Sequence, residues 1–271
     1  IDWYDQNQCH SPNPDIHDKT LGRIFKITNE NDTWVQVDLS KATSLELVNY
    51  QLHPNEWYVR TARTILQERG GNAQVHMALK EILNNNSDIT RKLRALWTLH
   101  VTNGLTEVEL RNLLSHENEY IRSWAIQLLT EDKSVSAATL ERFVAMAKND
   151  NSSLVRLYLA AGMQRLTFTE RWEVLDALVQ KAEDADDLNI PLMLWYAAEP
   201  LAAVDAEKAL TLAEKAKIPK FMTYMIQRVG AINTSASETS LKKLSVKWAK
   251  SGSHERHSEM VLIEGILAGE K

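Results

Sequence analysis

From Ser44 to the C-terminus, apolar residues recur every three or four positions, the spacing that puts them on one face of a helix. A short motif repeats inside that pattern: an aliphatic residue, then Arg or Pro, then an apolar run. Its clearest copies are Val59-Arg60, Leu93-Arg94, Ile121-Arg122, Val155-Arg156, Ile190-Pro191 and Ile218-Pro219. The second residues stand at 60, 94, 122, 156, 191 and 219, so the steps are 34, 28, 34, 35 and 28. Two copies align without a gap, VRLYLAAGMQRL from Val155 and IPLMLWYAAEPL from Ile190. Such a period predicts helix pairs stacked unit on unit, an all-α solenoid.

The pattern divides into about seven pairs, near 44–69, 72–103, 106–131, 136–168, 169–203, 205–232 and 237–268. Gly70-Gly71, Asn84-Asn85-Asn86, Asn103-Gly104, Asn149-Asp150-Asn151 and Ser251-Gly252-Ser253 mark the breaks. Ser44 stands where the first helix should start, and Thr106 with Glu109, and Thr167 or Thr169 with Glu170 and Glu173, look like helix caps. The aliphatic residue of each motif and the position two beyond its Arg or Pro (Ala62, Leu96, Trp124, Tyr158, Met193, Phe221) are expected to form the core. Trp97, Trp172, Trp195 and Trp248 are expected there too.

Residues 1–40 differ. Asp2 to Pro14 is aromatic, polar and broken by Pro, which predicts loop. Arg23–Thr28 and Thr33–Val37 favour strands around the turn Asn29-Glu30-Asn31-Asp32. Two strands alone are marginal in water, so their sheet is expected to lie outside this chain. The predicted domains are thus 1–40, a loop and β segment, and 41–271, the solenoid.

Composition narrows the partners. A net charge of -5 over 271 residues, with no basic cluster interleaved with aromatics, argues against a nucleic-acid platform. No apolar run nears the roughly 18 residues that cross a bilayer. Cys9 is the single cysteine, so an internal disulfide is ruled out. The start, Ile1-Asp2-Trp3, is expected of a processed product or a piece of a longer chain.

Asn55-Glu56-Trp57-Tyr58-Val59-Arg60 and Asn118-Glu119-Tyr120-Ile121-Arg122 resemble HEAT repeats, a relative of armadillo-like solenoids. That resemblance implies a polar ladder of turn Asp or Asn side chains with Arg60, Arg94, Arg122 and Arg156. Pro191 and Pro219 depart from it, so the ladder should stop near the fifth unit. Further stretches carry a closer likeness. Asp2 to His10 with Gly22 to Ile27 resembles the last blade of a β-propeller, and Leu52 to Arg60 and Asn189 to Tyr196 resemble the region after it. The family is the planctomycete-type membrane-bound dehydrogenase-like proteins, also called PVC-type haem-binding proteins. The likeness implies a sugar-dehydrogenase-like propeller before the solenoid, a c-type cytochrome after it, and a periplasmic or other extracytoplasmic location. The residues themselves leave the cytoplasm open. The family's Cys-x-x-Cys-His haem motif is absent, since Cys9-His10 lacks the first cysteine. No cofactor is therefore expected in this chain, although the parent would carry haem c.

Candidate chemistry is sparse. The arginine ladder reads either as an anion-binding stripe or as hydrogen bonding between units, and one Arg per unit favours the second. The acids Glu183 to Asp187 lack the ligand alternation of a calcium loop and are expected to be a solvated turn. Trp195, Tyr196 and Glu199 share a helix face and make a candidate groove, unless Glu199 is paired with a cation. Asp5 and His10 are the candidate remnant of a propeller site. No metal site and no catalytic set is expected. The favoured expectation is a non-catalytic scaffold joining the propeller and cytochrome domains, or binding another protein. A direct contribution to a sugar or alcohol dehydrogenase site, and a cytosolic protein-binding adaptor, stand as alternatives.

Overall fold

The structure is a computed structural model that describes residues 12, 13, 15, 24–31, 36–251 and 256–269. The chain divides into two compact units, Ile1–Ala42 and Thr43–Lys271. In the first unit, residues 24–29 are irregular, Glu30 and Asn31 form a turn, and Leu39–Lys41 is a short 3-10 helix capped by Asp38. No strand occurs among the described residues, which corrects the strand expected over 23–28. Ile24 and Ile27 are almost fully exposed, so their strand-favouring side chains have no sheet to pack on. Most of the second expected strand, 33–37, lies outside the described residues.

The second unit is all-helical. Pair 1 is α1 (Ser44–Asn49) with α2 (Glu56–Arg69), and pair 2 is α3 (Ala73–Asn85) with α4 (Ile89–Val101). Pair 3 is α5 (Glu107–Leu113) with α6 (Glu119–Leu129), and pair 4 is α7 (Ala137–Asn149) with α8 (Ser153–Met163). Pair 5 is α9 (Phe168–Leu178) with α10 (Ile190–Ala198), followed by the single turn α11 (Leu201–Val204). Pair 6 is α12 (Ala206–Lys215) with α13 (Phe221–Ile232), and pair 7 is α14 (Ser235–Ser251) with α15 (His257–Ala268). First helices pack in one row (α1 on α3, α7 on α9, α9 on α12, α12 on α14). Second helices pack in another (α2 on α4, α4 on α6, α6 on α8, α8 on α10, α13 on α15). This neighbour-on-neighbour stacking is what the repeat predicts.

Local chemistry explains the breaks. Thr43, not Ser44, caps α1, because its hydroxyl meets the Glu46 amide while the Glu46 carboxylate returns to the Thr43 amide at 2.7 Å. Thr106 and Glu109 repeat that box at α5, and at α9 the Thr167 amide donates to Glu170 at 2.9 Å. Pair 5 ends at Ala198 rather than near 203, because Pro200 has no amide to continue the helix.

The motif's aliphatic column (Val59, Leu93, Ile121, Val155, Ile190, Ile218) is buried throughout. The column two residues past the Arg or Pro is only partly so. Ala62, Leu96 and Phe221 are buried, whereas Trp124, Tyr158 and Met193 are half-exposed. Among the tryptophans expected in the core, Trp172 and Trp248 are buried, but Trp97, Trp124 and Trp195 are not. These three rings are only partly covered, by aromatic neighbours on adjacent second helices.

Candidate interaction face

In pairs 1 to 5 the turn between the paired helices is built on one position, two residues before the cap of the second helix. His53 Nδ1 accepts the Asn55 amide at 3.0 Å, Asn86 Oδ1 the Asp88 amide at 2.9 Å, and His116 Nδ1 the Asn118 amide at 3.0 Å. Asp150 Oδ1 accepts the Ser152 amide at 3.0 Å, and Asp187 Oδ1 the Asn189 amide at 2.8 Å. The cap residues then close the helices: Asn55, Asp88 and Asn118 each accept the amide two residues on. The two histidines are therefore turn residues, with the proton on Nε2.

That column supplies the partner of Arg122, whereas Arg156 finds its acid three residues ahead of it, at Asp184. Arg122 of pair 3 reaches Asp150 of pair 4 with two bonds of 2.8 Å, and also donates to its own turn at the His116 carbonyl. Arg156 of pair 4 reaches Asp184 of pair 5 with two bonds of 2.5 Å, both partners almost fully buried. The carboxylate beside it holds the Arg156 guanidinium above its usual range. The acidic turn is solvated at Glu183, Asp186 and Asp187, and Asp187 accepts the first amides of α10, as expected; Asp184 alone departs, being a buried anchor for Arg156. Arg94 meets no acid ahead, because His116 fills that position in pair 3. It turns back to pair 1, donating to the His53 carbonyl at 3.0 Å, the Gln51 carbonyl and Glu56. Arg60 faces Asn86 in the next turn and remains exposed, with only Glu56 of its own helix 3.9 Å away. With two of the four guanidinium groups bound to buried or near-buried carboxylates and a third to carbonyls and Glu56, these residues do not form a free anion-binding stripe.

Partly exposed aromatic rings link neighbouring second helices. Trp97 on α4 meets Trp124 on α6 at 4.9 Å between centroids and 66°, and Trp124 meets Tyr158 on α8 at 6.4 Å. Arg63 on α2 lies over Trp97 at 5.4 Å. The Arg63 Nη1 and Trp97 Nε1 donors are buried with no oxygen or nitrogen partner, and ring faces are the electron-rich surfaces beside them. Burial holds the Arg63 guanidinium below its usual range. A second cluster follows, in which Trp195 on α10 packs edge-on against Phe221 at 5.8 Å and Tyr224 at 5.7 Å on α13.

The candidate groove residues separate in this geometry. Trp195 is half-buried in that cluster, Tyr196 is 52% exposed, and Glu199 forms an ion pair with Arg228 one unit later. Asp5 and His10 lie outside the described residues. Among the described residues no three His, Cys, Asp or Glu side chains gather as metal ligands, and no helix is long and apolar enough to cross a membrane. One structural residue had no signal in the motif. Arg171 on α9 is buried and donates to the Gln164 and Leu166 carbonyls after α8 and to the Ala197 carbonyl of α10. It ties α9 to α10 within pair 5 and to the segment after α8, from a first helix, where no repeat position announces it. No family model and no curated protein matches this chain.

Proposed function

We propose that this chain is a non-catalytic scaffold whose second-helix row docks a protein partner. The observation that carries the reading is the run of half-exposed rings from Trp97 through Tyr158, continued by Trp195, Tyr196 and Tyr224. Aromatic side chains give large contact area at low entropic cost and are enriched where proteins bind each other. The internal pairing of the ladder arginines and of Glu199 supports a binding role over an active site.

The partner domains that fit the sequence resemblance are a dehydrogenase-like propeller and a c-type cytochrome within one longer extracytoplasmic redox protein. A c-type haem bound through paired cysteines does not fit this chain, whose single cysteine is Cys9, so the haem belongs to a neighbouring domain. The test is association of the separately expressed neighbouring domains with this chain, followed by calorimetry. Saturable binding that Trp124→Ala and Tyr196→Asp each weaken supports the reading. Absence of binding, or oxidation of sugars or alcohols by the chain alone, defeats it.

A further inference from the structure

A polar cleft of about 300 Å³ lies between pairs 3 and 4, lined by Ser115, His116, Arg122, Arg142, Asn149 and Asp150 over an apolar floor that includes Met146. Its two arginines are in different states. Arg122 is matched one-to-one by Asp150, whose Oδ1 takes Nη2 and the Ser152 amide and whose Oδ2 takes Nε. Arg142, half-buried on α7, has no carboxylate partner among the described residues. Its one side-chain hydrogen bond there runs from Nη2 to Ser115 Oγ at 2.8 Å.

The neighbours of Arg142 are donors as well. Ser115 Oγ accepts from Arg142, so its own proton is free to point elsewhere. His116 uses Nδ1 to hold the Asn118 amide, which leaves the Nε2 proton with no protein acceptor among the described residues. Three groups with donor capacity to spare thus border one cleft: the remaining Arg142 N–H groups, the Ser115 hydroxyl and His116 Nε2–H. The local charge has the same sign: Arg122, Arg142 and Lys92 stand against Asp150 and Glu117. Burial, then Lys92, keeps the His116 imidazole below its usual range, so it enters the cleft as a neutral donor.

We infer that this cleft binds a small oxoanion, a phosphate or carboxylate group held by the Arg142 guanidinium, the Ser115 hydroxyl and His116 Nε2–H. The size is at the low end for ligand pockets and fits a small molecule rather than a chain segment. Arg142 would supply the charge-assisted bonds, and Arg122 would stay paired with Asp150. This inference is independent of the partner face, because the cleft sits beside the turns and not on the aromatic row.

The experiment titrates the chain with inorganic phosphate and with acetate, reading the side-chain nitrogen signals of His116 and Arg142 by NMR. Saturable shifts at both residues are expected with at least one anion, and the pKa of His116 should rise when that anion is bound. Arg142→Gln should weaken binding about tenfold or more. His116→Asn keeps the turn, since Asn86 holds the same position in pair 2, yet removes Nε2–H, and should also weaken binding. Arg165→Gln, an exposed arginine elsewhere, should bind as the parent does. Preference for phosphate or for acetate supports the site and names the ligand class. Shifts that never saturate with either anion, or equal affinity in all three variants and the parent, overturn it.

Discussion

First helices meet through exposed ion pairs, whereas second helices and their turns meet through buried guanidinium–carboxylate pairs and aromatic rings. On the first row, Lys80–Glu109 (2.5 Å), Lys215–Asp176 (2.6 Å), Lys243–Glu207 (2.7 Å) and Lys247–Glu214 (2.8 Å) each bridge neighbouring units with at least one partner well exposed. Solvent and salt screen such contacts, so they adjust register and contribute little energy. On the other row, Arg156 and Asp184 have left water, and their geometry must be nearly ideal to offset that cost. One molecule thus carries a forgiving seam and a demanding one.

The sharpest way to break the contrast is to remove one member of the demanding seam. Arg156→Ala leaves Asp184 buried and unpaired, and should cost about 3–5 kcal/mol in urea unfolding. Replacing both with apolar residues should restore much of that loss, which separates a stranded charge from lost packing. Trp124→Ala should cost less than the roughly 3–5 kcal/mol of a fully buried aromatic such as Phe143, because part of the ring is already in water. Calorimetric melting of Trp124→Ala and Phe143→Ala side by side tests this, and equal losses would mean that the ring row is core. Lys243→Ala on the forgiving seam should change stability by about 1 kcal/mol or less, with the difference vanishing in high salt.

The smallest effect is a pH dependence. The Lys80 ammonium, with the Thr106 amide, lowers the Glu109 carboxyl from 4.5 to about 2. A carboxyl more acidic in the folded state stabilises at pH values above its unfolded pKa and loses that contribution as pH falls through its folded one. The loss should therefore lie between about pH 4.5 and 2. It should amount to under about 1 kcal/mol, because both side chains are more than a third exposed. Lys80→Gln should flatten that part of the stability curve.

The pair architecture was legible because helix period, turn residues and caps all agree over 43–251. The energetics of the ladder were written there too, but in a different column from the arginines. Asp150 invites Arg122 forward, while His116 and Asn86 in the same register give Arg94 and Arg60 no charge to meet. That column is visible only once the turn is aligned to its cap. The ring row misled for a physical reason: hydrophobic spacing marks a side chain that avoids water and does not say whether the seam has room for it. The Glu199–Arg228 pair spans 29 residues and an interposed turn, α11, so no fixed repeat step points to it. The strand expected over 23–28 is irregular where described, because its propensity needs a sheet to pair with.

Two buried charge clasps in succession tie pairs 3, 4 and 5 together, with no equivalent Arg–Asp clasp in pairs 6 and 7 among the described residues. Amide protons in the middle block should therefore exchange with solvent as one cooperative group, later than those near the C-terminus. Tension applied to the C-terminal end would peel the last pairs away first, so one Asp in a turn, Asp184, sets where such a stack begins to resist.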